Sequence, residues 1–376
     1  MHLREYLRLP SGVSEVYVAL SLYGVGMSLI GIFIPIYLLT IGFSIKWALF
    51  YVLITKLIFS MLVPLVYKLD AKYGLQGTSL IRLPFFIISF VSLIFIPQAE
   101  WLFFVAAISG GFALAFFWVP IHSFFTRNSD LKKEGSEVGK MLSIPTFFKI
   151  LSPAVGGYIS AIYGFNILFV IGLLLVCLST APLFLTPTQK TRHKKIDYKK
   201  LSNVLGSKFF FMTIADGFIY VAAAILFPLL IYVTLTSVET VGFIASLGGI
   251  FFAATSFVVG RKLDRSDLKK FYFVGAIIFS LTLAVRPFLT TVIGFSIVII
   301  FGALSAAIYE SAYVTRFYSS AKKSMDPDMF VVAREIVLNI SRAILLAILL
   351  ILPWKGGFFI AAITLFIAAL LLKKKS

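Results

Sequence analysis

The sequence predicts an all-α integral membrane protein whose twelve transmembrane helices form two six-helix bundles related by a pseudo-two-fold. Three observations predict it. The 376 residues are 60% hydrophobic and only 13% charged, whereas soluble domains are close to half apolar and a quarter charged. Apolar windows of about 20 residues, long enough to cross a bilayer as a helix, recur along the whole chain. Basic residues fall almost entirely into alternate loops, as they do when one set of loops faces the cytoplasm. The alternation of a β-barrel strand is absent.

In order, the spans are expected at 15–41, 46–67, 80–97, 101–126, 140–162, 166–186, 208–234, 239–260, 271–287, 291–316, 333–353 and 356–372. The start, "MHLREYLRLPSG", is charged and shows no short apolar region followed by a cleavage site, so the first apolar run is expected to be a retained span. With both termini cytoplasmic, inside segments carry 28 of the 34 Lys and Arg, among them Arg4, Arg8, Lys68, Lys72, Lys132, Lys133, Lys322 and Lys323. The 190–200 cluster, the 261–270 loop and Lys373 to Lys375 add to that side. Outside segments hold Lys46, Arg286 and Lys355, and Trp47, Trp101 and Trp354 mark the outer interface. Topology thus accounts for the net charge of +18, and no nucleic-acid partner is expected. The longest polar stretch, "PTQKTRHKKIDYKKLSNVLGSK" at 187–208, suits a basic cytoplasmic linker within reach of anionic headgroups. It divides the chain into an N-terminal bundle (1–186), the linker (187–207) and a C-terminal bundle (208–376).

Sliding the second half over the first by 193 residues aligns them without gaps. Gly24 falls on Gly217, Pro35 on Pro228, Ser44 on Ser237, Lys72 on Arg265 and Lys149 on Arg342. Transporters often carry parallel repeats of this kind. Six spans plus six, inside termini, a basic central loop and charged loops after spans two and eight together resemble the major facilitator superfamily. Its loop motif, roughly G-x-x-x-D-R-x-G-R-R, is matched in "GRKLDRSDLKK" by Gly260, Asp264 and Arg265, followed by Lys269 and Lys270, with Asp267 in place of the later glycine. The first-half loop, "YKLDAKYGLQG", keeps Lys72 and Gly74, with Asp70 one residue early. Span five resembles the family's antiporter motif through Gly139, Pro153 and Gly156, with Phe148 and Ser152 replacing two glycines.

The resemblance implies a secondary active transporter of a small organic solute, working by alternating access. It would be driven by an ion gradient, H+ first, with no cofactor, as a monomer in the plasma membrane. Export is expected over import on the partial antiporter motif. The alternatives are an importer of a small organic anion, a lipid flippase or scramblase on the same fold, and a non-transporting sensor or scaffold. Gly260, Asp264 and Arg265, with Asp70, Lys72 and Gly74 as counterparts, are expected to latch the bundles at the cytoplasmic end. In span five, Pro153 is expected to bend the helix, and Gly139, Gly156 and Gly157 to allow close packing.

Charged residues within the spans are the candidate site. Lys149 lies nine residues beyond Lys140, about 13 Å at 1.5 Å per residue, near the middle of a ~30 Å core. Arg342 shares that depth through the repeat, and Lys56 is also close to the middle. Asp216 lies about 12 Å in from Lys208 and Glu310 about 9 Å in from Arg316. Each costs at least ~2.5–3.5 kcal/mol at the bilayer centre, so these groups are expected to face inward and find partners. Structural pairing alone would join Glu310 to Arg342 and Asp216 to Lys149 or Lys56. A functional site would use Asp216 and Glu310 for proton binding and Lys149, Arg342 and Lys56 for substrate or counter-charge. Trp118, beside Phe116 and Phe117, suits either an aromatic cavity or ordinary packing. His122 suits a hydrogen-bonded side chain or, as the lesser alternative, a proton relay. Arg334 and Glu335 open span eleven, where an ion pair at the inner interface or an arginine–headgroup contact is expected.

No phosphate-cradling loop, metal-ligand spacing or nucleophile–base signature occurs, so neither an enzyme nor a metal site is expected. Cys177 is the only cysteine, which excludes intramolecular disulfides and cysteine-based metal sites.

Overall fold

The computed structural model describes residues 13–128, 134–185, 206–263 and 267–373, and every element among them is helical. In the first half, α1 (Val13–Ile30) passes through a 3-10 turn (Gly31–Phe33) into α2 (Ile34–Thr40). It continues with α3 (Ile45–Phe95), α4 (Leu102–Asn128), α5 (Glu134–Lys149), α6 (Ser152–Leu178) and a 3-10 turn (Ala181–Leu185). In the second half, α7 (Ser207–Tyr220) runs through a π-helical segment (Val221–Leu226) into α8 (Phe227–Leu235). It ends with α9 (Val238–Leu263), α10 (Leu268–Val285), α11 (Val292–Lys323), α12 (Pro327–Ile351) and α13 (Gly356–Lys373).

Eight continuous stretches among the described residues are long and apolar enough to cross a membrane. Two of them, Ile45–Phe95 with 51 residues and Leu142–Leu185 with 44, are double-length. They break at Gly74 (φ 71°) and Gly164 (φ 83°), conformations a side chain resists. Counting each double-length stretch as two and adding α12 and α13 gives twelve helical segments among the described residues. Helix fills most of the expected loop between spans two and three, interrupted at Gly74. Span eleven starts six residues before its expected position, because Asp326 caps the Met329 N–H at 3.2 Å and Pro327 fills the first turn.

The repeat is visible in local geometry. Ser44 caps the Trp47 N–H, and its counterpart Ser237 caps the Thr240 N–H at 3.1 Å. The helix carrying Pro35 is distorted just before it into a 3-10 turn, and the one carrying Pro228 into a π segment. Proline removes an N–H from the ladder, which fits local departures at both places. Gly24 faces the carbonyl of Pro145, and Gly217 faces that of Leu338, which is the same pair displaced by the repeat.

Two seams join the halves: α9 packs along α5 and α6, and α12 along α3. At the first, a side-chain carbon on Gly157 would lie 2.8 Å from the Val238 carbonyl, so only hydrogen fits. There the Ser246 hydroxyl accepts from the Ala154 N–H at 3.0 Å, satisfying an otherwise orphaned first-turn donor of α6. Large apolar side chains such as Met61, Leu151, Leu174, Leu281 and Ile293 are exposed on the outside, the arrangement a lipid-facing surface requires.

Two further cations are inside the protein: Arg82, which falls within the third expected span, and Arg286, expected in an outside segment. Arg82 is fully buried and donates to Ser179 and Thr180 hydroxyls at 2.8 and 2.7 Å. Arg286 is also buried, over the rings of Phe227 (4.1 Å) and Phe279 (5.5 Å).

Candidate functional site

The site is assembled from one face each of α7, α11 and α12, with single residues from α3, α4 and α5. On α7, Asp216 and Tyr220 are four residues apart and therefore share a face. On α12, Arg334, Glu335, Asn339 and Arg342 occupy just over two turns, and α11 adds Glu310, Tyr313 and Tyr318.

Arg334 is the hub. Its guanidinium pairs directly with Glu335, lies 3.9 Å from the Asp216 carboxylate, and donates through Nε to the Tyr313 hydroxyl at 3.4 Å. Tyr313 in turn donates to Thr213 Oγ1 at 3.3 Å. The Phe317 ring covers the guanidinium at 4.8 Å. Two carboxylates thus share one buried cation, which requires good geometry to offset desolvation. The first bundle reaches this network through His122. Its Nδ1 lies 2.9 Å from the Tyr318 hydroxyl and its Nε2 3.7 Å from Glu335, while its ring stacks on Trp118.

A second cluster gathers one turn further along the same face of α7, around Tyr220. Lys56, buried on α3, donates to the Tyr220 hydroxyl at 3.3 Å, with its ammonium 4.7 Å from that ring's centroid. The Arg342 guanidinium lies 3.9 Å from the same ring and donates to the Asn339 side-chain oxygen at 3.2 Å. Asn339 is held in place by its own donation to the Glu335 carbonyl at 2.9 Å.

Lys149 is the last residue of α5, and the helix breaks at 150–151 before α6 restarts. A cation at a helix C-terminus is stabilised by the unpaired carbonyls and their partial negative charge. No carboxylate lies within 4.0 Å of Lys149 among the described residues, and Glu310 is the acid whose field it feels.

The structure departs from the simplest pairings. Asp216 meets Arg334 rather than Lys149 or Lys56, and no cation, Arg342 included, lies within 4.0 Å of Glu310 among the described residues. Arg334 and Glu335 are buried, not interfacial, because α12 starts early and places them two turns inside it. Trp118 stacks on His122 and meets Tyr23 edge-on at 5.8 Å. Asp70 is buried and accepts from Thr78 at 3.3 Å, Lys72 is exposed over the Tyr73 ring, and Gly74 forms the kink. Gly260 is buried on α9, while Asp264 and Arg265 lie outside the described residues, as does almost all of the 187–207 linker. Pro153 is in the first turn of α6, Gly156 packs on Leu29 and Phe33, Gly157 packs on Val238, and Gly139 lies on α5. Tyr220 was not singled out by the sequence, although its spacing from Asp216 was a usable signal.

A multi-pass helical membrane protein of two bundles, with ionisable groups gathered between them, is the class these features define. No family model and no curated protein matches the chain. Solved structures do match nearly its full length. A bacterial homologue of the iron transporter ferroportin, in an outward-facing state, superposes with TM-score 0.70 at 15% identity over 96% of each chain. The E. coli fucose:proton symporter FucP gives 0.67 at 14% identity, over 96% of this chain and 98% of that one. The human organic anion transporter MFSD10 gives 0.64 at 9% identity, over 96% and 99%. The chain has the major facilitator fold.

Proposed function

We propose that this protein is a proton-coupled secondary transporter that moves a small organic solute by alternating access, in the export direction. The observation that carries the proposal is the Asp216–Arg334–Glu335 network and its contact with the other bundle through His122. Rocking of two bundles about a midplane site must break or remake such a contact. Glu335 stays with Arg334. Asp216, at the edge of ion-pair distance, and Glu310, with no cation within 4.0 Å among the described residues, are the carboxylates that exchange a proton. Exchange at these positions couples the proton to the bundle motion, because their surroundings change as the halves separate. Export is supported by the partial antiporter motif, Gly139, Pro153 and Gly156, around the broken fifth span. The basic-loop pattern supports cytoplasmic termini in a plasma membrane, with Asp264 and Arg265 latching the bundles there.

The test uses proteoliposomes that contain a pH-sensitive dye. Addition of a transported solute without a gradient is expected to move protons, and Asp216→Asn and Glu310→Gln are each expected to abolish that movement. Proton movement at the wild-type rate in both variants overturns the coupling assignment.

A further inference from the structure

We propose that Lys56, Tyr220 and Arg342 form the receptor for the solute's anionic group, a carboxylate or phosphate on a small soluble molecule. This names the substrate class of the transport reading above and rests on it. Two cations are held against one phenol ring, Lys56 from the first bundle and Arg342 from the second. Among the described residues no carboxylate lies within 4.0 Å of either. The nearby acids are engaged elsewhere: Glu335 bonds Arg334 and acts on Lys56 and Arg342 only at longer range, while Asp216 faces Arg334. Lys56 and Arg342 also oppose each other electrostatically. The Arg342 Nε is buried with no hydrogen-bond acceptor, and Nη1 is used only by Asn339.

Buried cations without an anion are costly unless something else offsets them. A ligand anion between the two supplies it: the guanidinium offers a fork for two oxygens, and the ammonium a point charge. The ligand's anion would bridge the bundles, because α3 and α12 form one of the seams between them. Trp118, partly buried and edge-on to Tyr23, offers an aromatic surface for an organic body. Tyr220 fixes both cations and is a positioning residue for them.

The test is thermal stabilisation of the purified full chain in detergent at constant ionic strength, titrated with benzoate, acetate and inorganic phosphate. Benzamide serves as the neutral counterpart of benzoate. A ligand that binds the native state alone raises the melting temperature in a saturable way. At least one anion is expected to do so, and benzamide is not. Lys56→Gln and Arg342→Gln are each expected to raise that anion's apparent Kd at least tenfold, and Arg342→Lys, which keeps charge and loses the fork, by less. If Arg342→Gln does not fold, Lys56→Gln and Arg342→Lys carry the comparison. Stabilisation by none of the three anions, or equally in wild type and variants, overturns the proposal. So does stabilisation by short-chain phosphatidylglycerol with none by the soluble anions, which would assign the site to a lipid headgroup. Binding in detergent needs no gradient, so anion binding without proton-linked flux overturns the transport reading and leaves the receptor standing.

Discussion

Gly217 and Gly24 occupy equivalent places in the repeat, and the same substitution at each is expected to have different consequences. A Cβ at Gly217 would lie 2.8 Å from the Ser341 Cβ and 2.9 Å from the Leu338 carbonyl oxygen. Carbon atoms rest at about 3.5–4.0 Å, so α7 must retreat from α12 by roughly 0.7 Å or more. A Cβ at Gly24 would meet the Lys149 side chain at 3.3 Å and the Pro145 carbonyl at 3.9 Å, and the flexible lysine can yield. Overpacking of a rigid contact costs about 1–3 kcal/mol. The helix gain of alanine over glycine, about 0.8–1 kcal/mol, is common to both variants and cancels in the comparison. Gly217→Ala is therefore expected to be less stable than Gly24→Ala by about 1–3 kcal/mol. Both variants should be melted in detergent at one scan rate, since irreversible unfolding depends on that rate. Gly217 adjoins Asp216, and Ser341 adjoins Arg342, so the retreat also draws the two faces of the site apart. Solute-dependent proton movement is expected to fall in Gly217→Ala and to persist in Gly24→Ala. Equal melting temperatures, or a lower one for Gly24→Ala, would refute the packing argument.

Two further outcomes follow from the network. Arg334→Gln leaves Glu335 buried, and Asp216 half-buried beside it, without their cation and is expected to cost about 3–5 kcal/mol. Adding Glu335→Gln to it should recover part of that loss in a double-mutant cycle, and strict additivity would show the pair is not coupled. His122→Phe removes the bond to Tyr318 and is expected to loosen contact between α4 and α11. In a Cys177→Ser background, Ala321→Cys on α11, buried in the present state, should then react faster with a water-soluble maleimide. An unchanged rate would show that His122 does not hold the bundles together.

The spans and the repeat were legible because bilayer thickness and helix rise leave little freedom in length, and glycine, proline and capping serine mark fixed backbone events. Ser44 and Ser237 were found as sequence matches, and both cap helices. The depth of Lys149, Arg342, Lys56, Asp216 and Glu310 was legible for the same reason. Their pairings were not, because depth fixes a residue's height along a helix and says nothing of rotation about it or of which helix lies opposite. Arg334 was misplaced for a different reason. Apolarity marks where lipid contact begins, whereas α12 begins at its Asp326–Pro327 cap, well before. Arg82 escaped notice because its partners, Ser179 and Thr180, are almost a hundred residues away and uncharged.

The repeat also shows how one backbone arrangement carries two chemistries. At an offset of 193, Asp216 falls on Tyr23 and Glu310 on Phe117. Tyr23 and Phe117 touch, with centroids 3.8 Å apart, and the two acids act on each other electrostatically at the matching place. The first bundle therefore presents Lys56, Lys149 and aromatic rings to the seam. The second presents three acids, Asp216, Glu310 and Glu335, against two cations, Arg334 and Arg342. The facing surfaces carry opposite net charge, so separating the bundles pulls unlike charges apart. For Lys149 and Glu310, beyond 4.0 Å from each other, that attraction is worth at most about 4 kcal/mol at an effective dielectric of 20. Protonation of Glu310 or Asp216 removes part of it, and an anion between Lys56 and Arg342 replaces part of it with a bridge. In the proposed mechanism, proton and solute therefore act in opposite senses on the same seam, which is the condition for exchanging one for the other.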